Sequence, residues 1–172
     1  MDDMTMRPVS PARPPAAYIG GKKQLAARLV AMIEGVEHHT YAEPFVGMGG
    51  VFLRRRLAPK VEVINDISAD VATLFRVLQR HYVPLMDLLR FQFTSRREFE
   101  RLLATDPATL TDLERAVRFL YLQRVAFGGK VAGRNFGVSP GMPGRFDVAK
   151  LATTLVDLNE RLSGVIIENL PF

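Results

Sequence analysis

The sequence predicts an α/β fold, an open parallel sheet interrupted by a helical insertion, and three observations carry that prediction. Residues 40–52, Thr-Tyr-Ala-Glu-Pro-Phe-Val-Gly-Met-Gly-Gly-Val-Phe, read as a short strand, a glycine turn and a helix start. Val61-Glu62-Val63-Ile64-Asn65 reads as a second strand, with Asp66 at its carboxyl end. Residues 70–126 show helical spacing with no strand among them, so a helical block separates these strands from a third, Val165-Ile166-Ile167. Ligands of open parallel sheets sit over the carboxyl ends of the strands, which makes the glycine turn the floor of a site.

Gly47, Gly49 and Gly50 let backbone N–H groups approach a ligand. Their spacing is not the dinucleotide pattern G-x-G-x-x-G, because the third glycine comes too early and Phe52 fills its place. Asp66 stands 23 residues after Glu43. An acid at the tip of a second strand is placed to accept hydrogen bonds from ribose hydroxyls. The competing reading is that Asn65 and Asp66 cap the helix that starts near Ser68. The turn and the acid together favour a nucleoside-bearing cofactor.

At 172 residues with 48% hydrophobic content, the chain fits one domain with an inserted lobe. No apolar run approaches 18 residues, so no membrane span is expected, and a cytoplasmic protein is the default. Residues 1–16, with Pro8, Pro11, Pro14 and Pro15 and no apolar signal core, read as a disordered leader. The absence of cysteine excludes disulfides, thiolate metal sites and cysteine nucleophiles. His38, His39 and His81 lack metal-ligand spacing, so no metal is expected. The formal excess of +5 lies in the middle of the chain. Residues 70–150 carry 13 Lys/Arg against 8 Asp/Glu, while the remainder has 10 of each. Between Glu114 and Asp147 there is no acid, but there are Arg115, Arg118, Arg124, Lys130, Arg134 and Arg145. An interval of this kind is either a solvated helix face or the footprint of a phosphate-rich partner, and its length favours nucleic acid.

Taken in order, Tyr18-Ile-Gly-Gly-Lys22 precedes a helix over residues 24–33 with Leu25, Leu29 and Ile33 on one stripe. Gly20-Gly21-Lys22 is not a P-loop; it is either a site for a carboxylate or a turn with a solvated lysine. Residues 51–57 are expected to form the first crossover helix, ending before Pro59. Val71, Leu74, Phe75 and Leu78 mark a further helix, and Pro84 restarts the chain into another. Ser95-Arg-Arg-Glu98 and Thr111-Asp-Leu-Glu114 both have the capping-box pattern. Residues 127–146 hold six glycines and two prolines, which suggests a hairpin or extended loop projecting Lys130, Arg134 and Asn135. Arg and Lys pair with guanine edges and Asn with adenine in a major groove; the alternative is a surface loop touching only phosphate or solvent. Asp147 caps a last helix carrying Leu151, Leu155, Leu158 and Leu162, stopped by Gly164 before the third, buried strand.

These residues resemble the Dam-type family of DNA adenine-N6 methyltransferases. Tyr18-Ile-Gly-Gly-Lys22 looks like the family's opening motif, and Glu43-Pro-Phe-Val-Gly-Met-Gly-Gly looks like its glycine motif. Asn65-Asp66 matches its second-strand acid, the helical insertion resembles its target-recognition domain, and Ile167-Glu-Asn-Leu-Pro-Phe172 resembles its third motif. The resemblance implies a Rossmann-like S-adenosylmethionine-dependent methyltransferase sheet, incomplete here. Residues 17–69 and 147–172 would bind the cofactor, and residues 70–146 would form an inserted helical target-recognition lobe for double-stranded DNA. By carry-over, Tyr18, Gly21 and Lys22 lie along the methionine end. Phe45, Gly47 and Gly49 line the floor above Glu43, Asp66 holds the ribose, and Asn169, Leu170 and Phe172 flank the adenine ring. Arg118, Arg124, Lys130, Arg134 and Asn135 are the expected DNA contacts.

One motif departs from the family. The catalytic Asp-Pro-Pro-Tyr is absent, and Asp106-Pro107-Ala108-Thr109 lacks the second proline and the aromatic. Asn169-Leu170-Pro171-Phe172 is a degenerate version, one strand too early in the motif order. The expectation is therefore that no catalytic residue lies in this chain, with Asn169, Pro171 and Phe172 as the fallback. The catalytic strand is then expected beyond Phe172 or in a second polypeptide. The alternative reading is a non-catalytic DNA-binding module or decoy.

Overall fold

The computed structural model describes residues 6–20, 24–137, 144 and 146–171. The chain runs through β1 (Arg7–Pro8), α1 (Ala26–Glu34), β2 (Thr40–Glu43), β3 (Leu57–Ala58) and β4 (Val61–Asn65). Four helices follow, α2 (Ala69–Arg80), α3 (Tyr82–Arg90), α4 (Arg96–Ala104) and α5 (Asp112–Val125), and then α6 (Val148–Arg161) and β5 (Ile166–Glu168). β2, β4 and β5 form a parallel sheet in the order β2-β4-β5. Ala42 lies beside Val63 and Val63 beside Ile166, so the three carboxyl ends come level at Glu43, Asn65 and Glu168. The strands run parallel, as expected. β5 is not a buried strand, however: it is the edge of this sheet, and Ile166 is 46% exposed.

The crossover between β2 and β4 is not the expected helix over 51–57. It holds one 3-10 turn, Phe52–Arg54, and then extends at Arg55. Seven residues are too few to offset helix nucleation unless side chains support it. Here the side chains are drawn elsewhere. The Arg55 guanidinium lies 3.8 Å above the Tyr41 ring and pairs with Glu62 at 2.8 Å. The Glu34 carboxylate accepts the N–H groups of Arg56 and Leu57. Leu57–Ala58 then pairs antiparallel with Arg7–Pro8.

That pairing overturns the disordered leader for the part of residues 1–16 that is described. Val9 donates to Arg56 O, Ala12 donates to Leu53 O at 2.8 Å, and Ala12 and Ala16 are buried. Small residues between the prolines let the extended chain lie flat on the crossover, where its N–H groups find acceptors.

One hydrophobic core spans most of the chain, from Ala12 through Phe52, Leu53, Ile64, Leu74 and Phe75 to Tyr121, Leu155 and Val165. α2 packs on β5, α5 and α6, so it covers the sheet and is not part of a separate insertion over residues 70–146. The helical segment does not have a core of its own; α5 lies along α2 and buries Phe119, Leu120, Tyr121 and Leu122. Its Thr111–Glu114 capping box is complete, with both reciprocal bonds present. At Ser95 only the side chain's bond from Glu98 N forms, because the Glu98 carboxylate is taken by Arg101 and Gln92. A smaller cluster of Ala26, Val30 and Val51 fixes α1 against the glycine turn.

Candidate functional site

The strand tips are joined by side chains rather than by the ladder alone. Asn65 donates to the carbonyls of Pro44 at 3.0 Å and Leu170 at 3.1 Å, and its Oδ1 accepts from Leu170 N at 2.8 Å. Asp66 is buried, and its carboxylate accepts from Gly47 N and from Ser68 N, each at 2.9 Å. The acid therefore braces the start of α2 and the glycine turn at once, so capping does not exclude a ligand. Each carboxylate oxygen keeps lone-pair capacity beyond one bond.

Above this floor lies a cavity of ≈ 540 Å³. Tyr18, Phe45, Val46, Gly47 and Asp66 border it, together with Ala16, Ala17, Ile19 and Gly20. Gly47 has φ +52°, and a Cβ there would come within 3.3 Å of Tyr18 Cδ1. Glycine is needed at this position both for the turn and for the approach of the tyrosine ring. Tyr18 is held from the other side by α5. Ile19 N donates to Gly129 O at 3.0 Å, and Gln123 Nε2 donates to Ala17 O at 2.8 Å and Gly129 O at 2.6 Å. Burial, and then the Asp66 charge, push the Tyr18 hydroxyl above its ordinary pKa, so it stays protonated and can donate.

Of the expected cofactor residues, Tyr18, Phe45, Gly47 and Asp66 meet at the cavity. Glu43 lies beneath it, buried, with Oε2 accepting from the Tyr41 hydroxyl at 2.8 Å and from Phe52 N at 3.0 Å. Gly49 faces inward, toward Leu53 and Phe75. Asn169 does not border the cavity; its Nδ2 donates to the carbonyls of Asp66 and Ile67 at 2.7 and 3.1 Å. Gly21, Lys22 and Phe172 lie outside the described residues. Sequence reasoning missed Pro14, Ala16, Arg54 and the cavity role of Arg124. Ala12 and Ala16, four apart and each directly after a proline, are the available signal for an ordered entry segment.

The DNA residues divide sharply. Lys130 and Asn135 are exposed. Arg118 is 6% exposed, and its Nε donates to Leu102 O at 2.7 Å. It satisfies the last carbonyls of α4 and is buried, so in this structure its guanidinium is turned inward and away from the outer surface. Arg124 donates to Pro15 O at 2.7 Å and borders the cavity instead of the outer surface. Arg134 does not project either: it donates to Gln123 Oε1 at 3.1 Å and to Lys130 O, with its guanidinium 5.8 Å from the Phe119 ring centre. Burial lowers the pKa of all three below the usual arginine value. Acid-free sequence does not distinguish cations that face water from cations that hold carbonyls. The glycine-rich stretch closes like a hairpin at its described base, through an Ala126–Phe136 bridge and Phe127 N to Asn135 O at 3.0 Å. Among the described residues no group of three or more His, Cys, Asp or Glu could hold a metal ion, and no helix is long and apolar enough to cross a membrane.

Fold and site together define a mixed α/β protein with a cavity over its strand tips, bordered by a glycine turn and an acid. Residues 18–148 match the model of the D12 class N6 adenine-specific DNA methyltransferases, and the chain belongs to that family. It is 30% identical over 123 residues to the type II methyltransferase M1.LlaDCHI of Lactococcus lactis subsp. cremoris, covering 68% of this chain and 42% of that protein. It is 26% identical over 137 residues to the DNA adenine methylase of Haemophilus influenzae, covering 73% and 44%. Over 91 residues it is 35% identical to the DNA N-6-adenine-methyltransferase of Escherichia phage P1, covering 51% and 12%. The chain spans less than half the length of these curated relatives.

Proposed function

We propose that this chain serves site-specific methylation of adenine N6 in double-stranded DNA, as the part that binds S-adenosylmethionine and engages the target. The observation that carries this reading is the cavity where Tyr18, the Gly47 turn and Asp66 converge, in a chain of the adenine-methyltransferase family. In it the three-stranded sheet belongs to a Rossmann-like cofactor fold, and the helices from α3 onward with the glycine-rich loop form the DNA-facing lobe. A nucleoside fits the site's chemistry: Asp66 accepts from ribose hydroxyls and the rings of Tyr18 and Phe45 supply apolar walls. Arg54 and Arg124 also border the cavity and offer cations for a carboxylate. When bound, the cofactor would supply an electrophilic methyl group. The chain's own residues fix its ribose, exclude water and hold the duplex alongside.

The 172 residues contain no Asp-Pro-Pro-Tyr, so on this reading the acceptors for the target amine come from a segment or chain carrying that motif. Calorimetry with the purified polypeptide should show S-adenosylmethionine binding that S-adenosylhomocysteine competes away. No heat with either ligand, from protein shown to be folded, would defeat the cofactor part. Binding of the cofactor without any binding to duplex DNA would defeat the DNA part.

A further inference from the structure

Gln123 sits in the last turn of α5, between the buried Leu122 and Val125, and is itself only 1% exposed. A buried amide costs stability unless its donors and acceptor all find partners. Here they do. Nε2 donates to Ala17 O at 2.8 Å and to Gly129 O at 2.6 Å, and Oε1 accepts from the Arg134 guanidinium at 3.1 Å. The partners dictate the residue type. Two carbonyls call for two donors and a guanidinium calls for an acceptor, which an amide offers together and neither a carboxylate nor an ammonium does.

These partners lie on two separate segments. Ala17 belongs to the stretch that borders the cavity, next to Tyr18 and Ile19. Gly129 and Arg134 belong to the base of the glycine-rich segment, which Phe127 N to Asn135 O and Gly137 N to Val125 O close at 3.0 Å each. The two segments also touch directly. Ile19 N donates to Gly129 O, so that one carbonyl is shared between Gln123 and the cavity wall. Gly129 adopts φ +66°, and a Cβ there would lie 2.8 Å from the Ala17 carbonyl carbon. With no room between them, the wall and the base shift together or lose these bonds.

Resting on the cofactor and DNA reading above, we infer that Gln123 is a positioning residue that couples the two sites. It holds the wall beside Tyr18 in register with the base of the glycine-rich segment, so that filling either site orders the other. The first ligand bears the entropic cost of fixing the shared bonds, and the second is spared it. Linkage then requires a reciprocal effect: the cofactor raises duplex affinity by the same factor as the duplex raises cofactor affinity. Gln123 itself touches neither ligand on this reading; it acts through Ala17 and Gly129.

The test measures S-adenosylmethionine affinity by calorimetry with and without saturating duplex, and duplex affinity by anisotropy with and without cofactor. For the 172-residue polypeptide the two ratios should agree, at about fivefold or more. Gln123→Met keeps the side chain's length and removes all three bonds, so both ratios should fall toward one. Arg134→Met leaves the two donated bonds in place and should lower the ratios by a smaller factor; it decides the matter if Gln123→Met does not fold. Lys130→Ala, an exposed charge lost from the same segment, should weaken duplex binding and keep the ratio. Folded variants at Gln123 and Arg134 that lose affinity for each ligand alone but keep the ratio would make the network purely structural and overturn the proposal. A ratio of one in the unaltered polypeptide, with both ligands bound, would overturn the coupling and leave the proposed function standing. Failure of the folded, unaltered polypeptide to bind either ligand would remove that function and this inference with it.

Discussion

Gly47 donates its backbone N–H to the Asp66 carboxylate across 2.9 Å. Through that bond the turn after β2 and the tip of β4 become one unit, and the second carboxylate oxygen extends the unit to α2 through Ser68 N. Asp66→Ala removes an acceptor that serves the fold as well as any ribose. Two effects are therefore expected. Thermal unfolding should shift downward, since two backbone N–H groups lose their partner at about 1 kcal/mol or more each. In protein that remains folded, S-adenosylmethionine affinity by calorimetry should fall by about 1.5–3 kcal/mol, the range for hydrogen bonds to a charged group. Unchanged affinity in folded Asp66→Ala would leave Asp66 with a structural role alone.

A second carboxylate acts in a comparable way at the opposite end of β4. Glu62 is buried between two guanidiniums, pairing with Arg55 at 2.8 Å and with Arg161 at 2.7 and 2.8 Å. Arg55 stacks on Tyr41 and Arg161 on Phe52, so the cluster joins β2, the crossover, β4 and α6. Glu62→Gln would leave two buried cations facing a neutral amide. Breaking a buried pair in this way costs about 3–5 kcal/mol. Denaturant titration should register that loss, and a change below about 1 kcal/mol would mean that water reaches the cluster.

This cluster marks the limit of what the sequence makes legible. The parallel strands, the glycine turn and the second-strand acid are readable because each has a local pattern: alternation, glycine spacing, an acid after an apolar run. Arg55 and Glu62 carry no such pattern. Their pairing depends on a crossover that extends instead of coiling, and that is settled by contacts with Tyr41, Glu34 and the entry strand. The same holds for Arg118, Arg124 and Arg134. Charge counting locates them correctly in a basic interval, but only packing decides that their guanidiniums hold backbone carbonyls or Gln123. Of the cavity, the residues with motif signatures are legible in the sequence. The wall contributed by residues 14–17 is not, because proline-rich sequence resembles a leader until a partner strand is known.

The turn glycines should also separate by experiment. Gly49 adopts φ +77°, and a Cβ there would lie 2.6 Å from Leu53 Cδ1 in the closed core. Gly49→Ala should destabilise by about 2 kcal/mol or more, combining the left-handed backbone penalty with overpacking. Gly47→Ala carries the same left-handed penalty at φ +52° but meets only Tyr18, at 3.3 Å, so it should destabilise less than Gly49→Ala and weaken cofactor binding more. Comparing unfolding midpoints with calorimetric affinities separates the two. Equal losses of affinity relative to stability in both variants would mean that the turn acts as one unit.

The last expectation concerns the chemistry itself. Methyl transfer to an exocyclic amine needs acceptors close to that amine and a wall on which the extruded base can stack. On the proposed reading Asp66, braced by Gly47 and Ser68, faces the cofactor ribose, and Glu43 is buried under the turn by Tyr41 and Phe52. Asn169 is the remaining polar side chain in a motif-like setting. Its amide nitrogen is drawn onto the carbonyls of Asp66 and Ile67, and the residue does not border the cavity that would hold the methyl donor. The 172-residue polypeptide, incubated with tritiated S-adenosylmethionine and adenine-containing duplex, should therefore leave the DNA unlabelled. Supplying a segment with Asp-Pro-Pro-Tyr, fused or in trans, should bring labelling. Asn169→Ala should lower the unfolding midpoint, since it removes two hydrogen bonds at the β4 tip, without changing that labelling pattern. Labelling by the unaltered 172 residues that disappears in folded Asn169→Ala would instead make Asn169-Leu-Pro-Phe172 the catalytic motif.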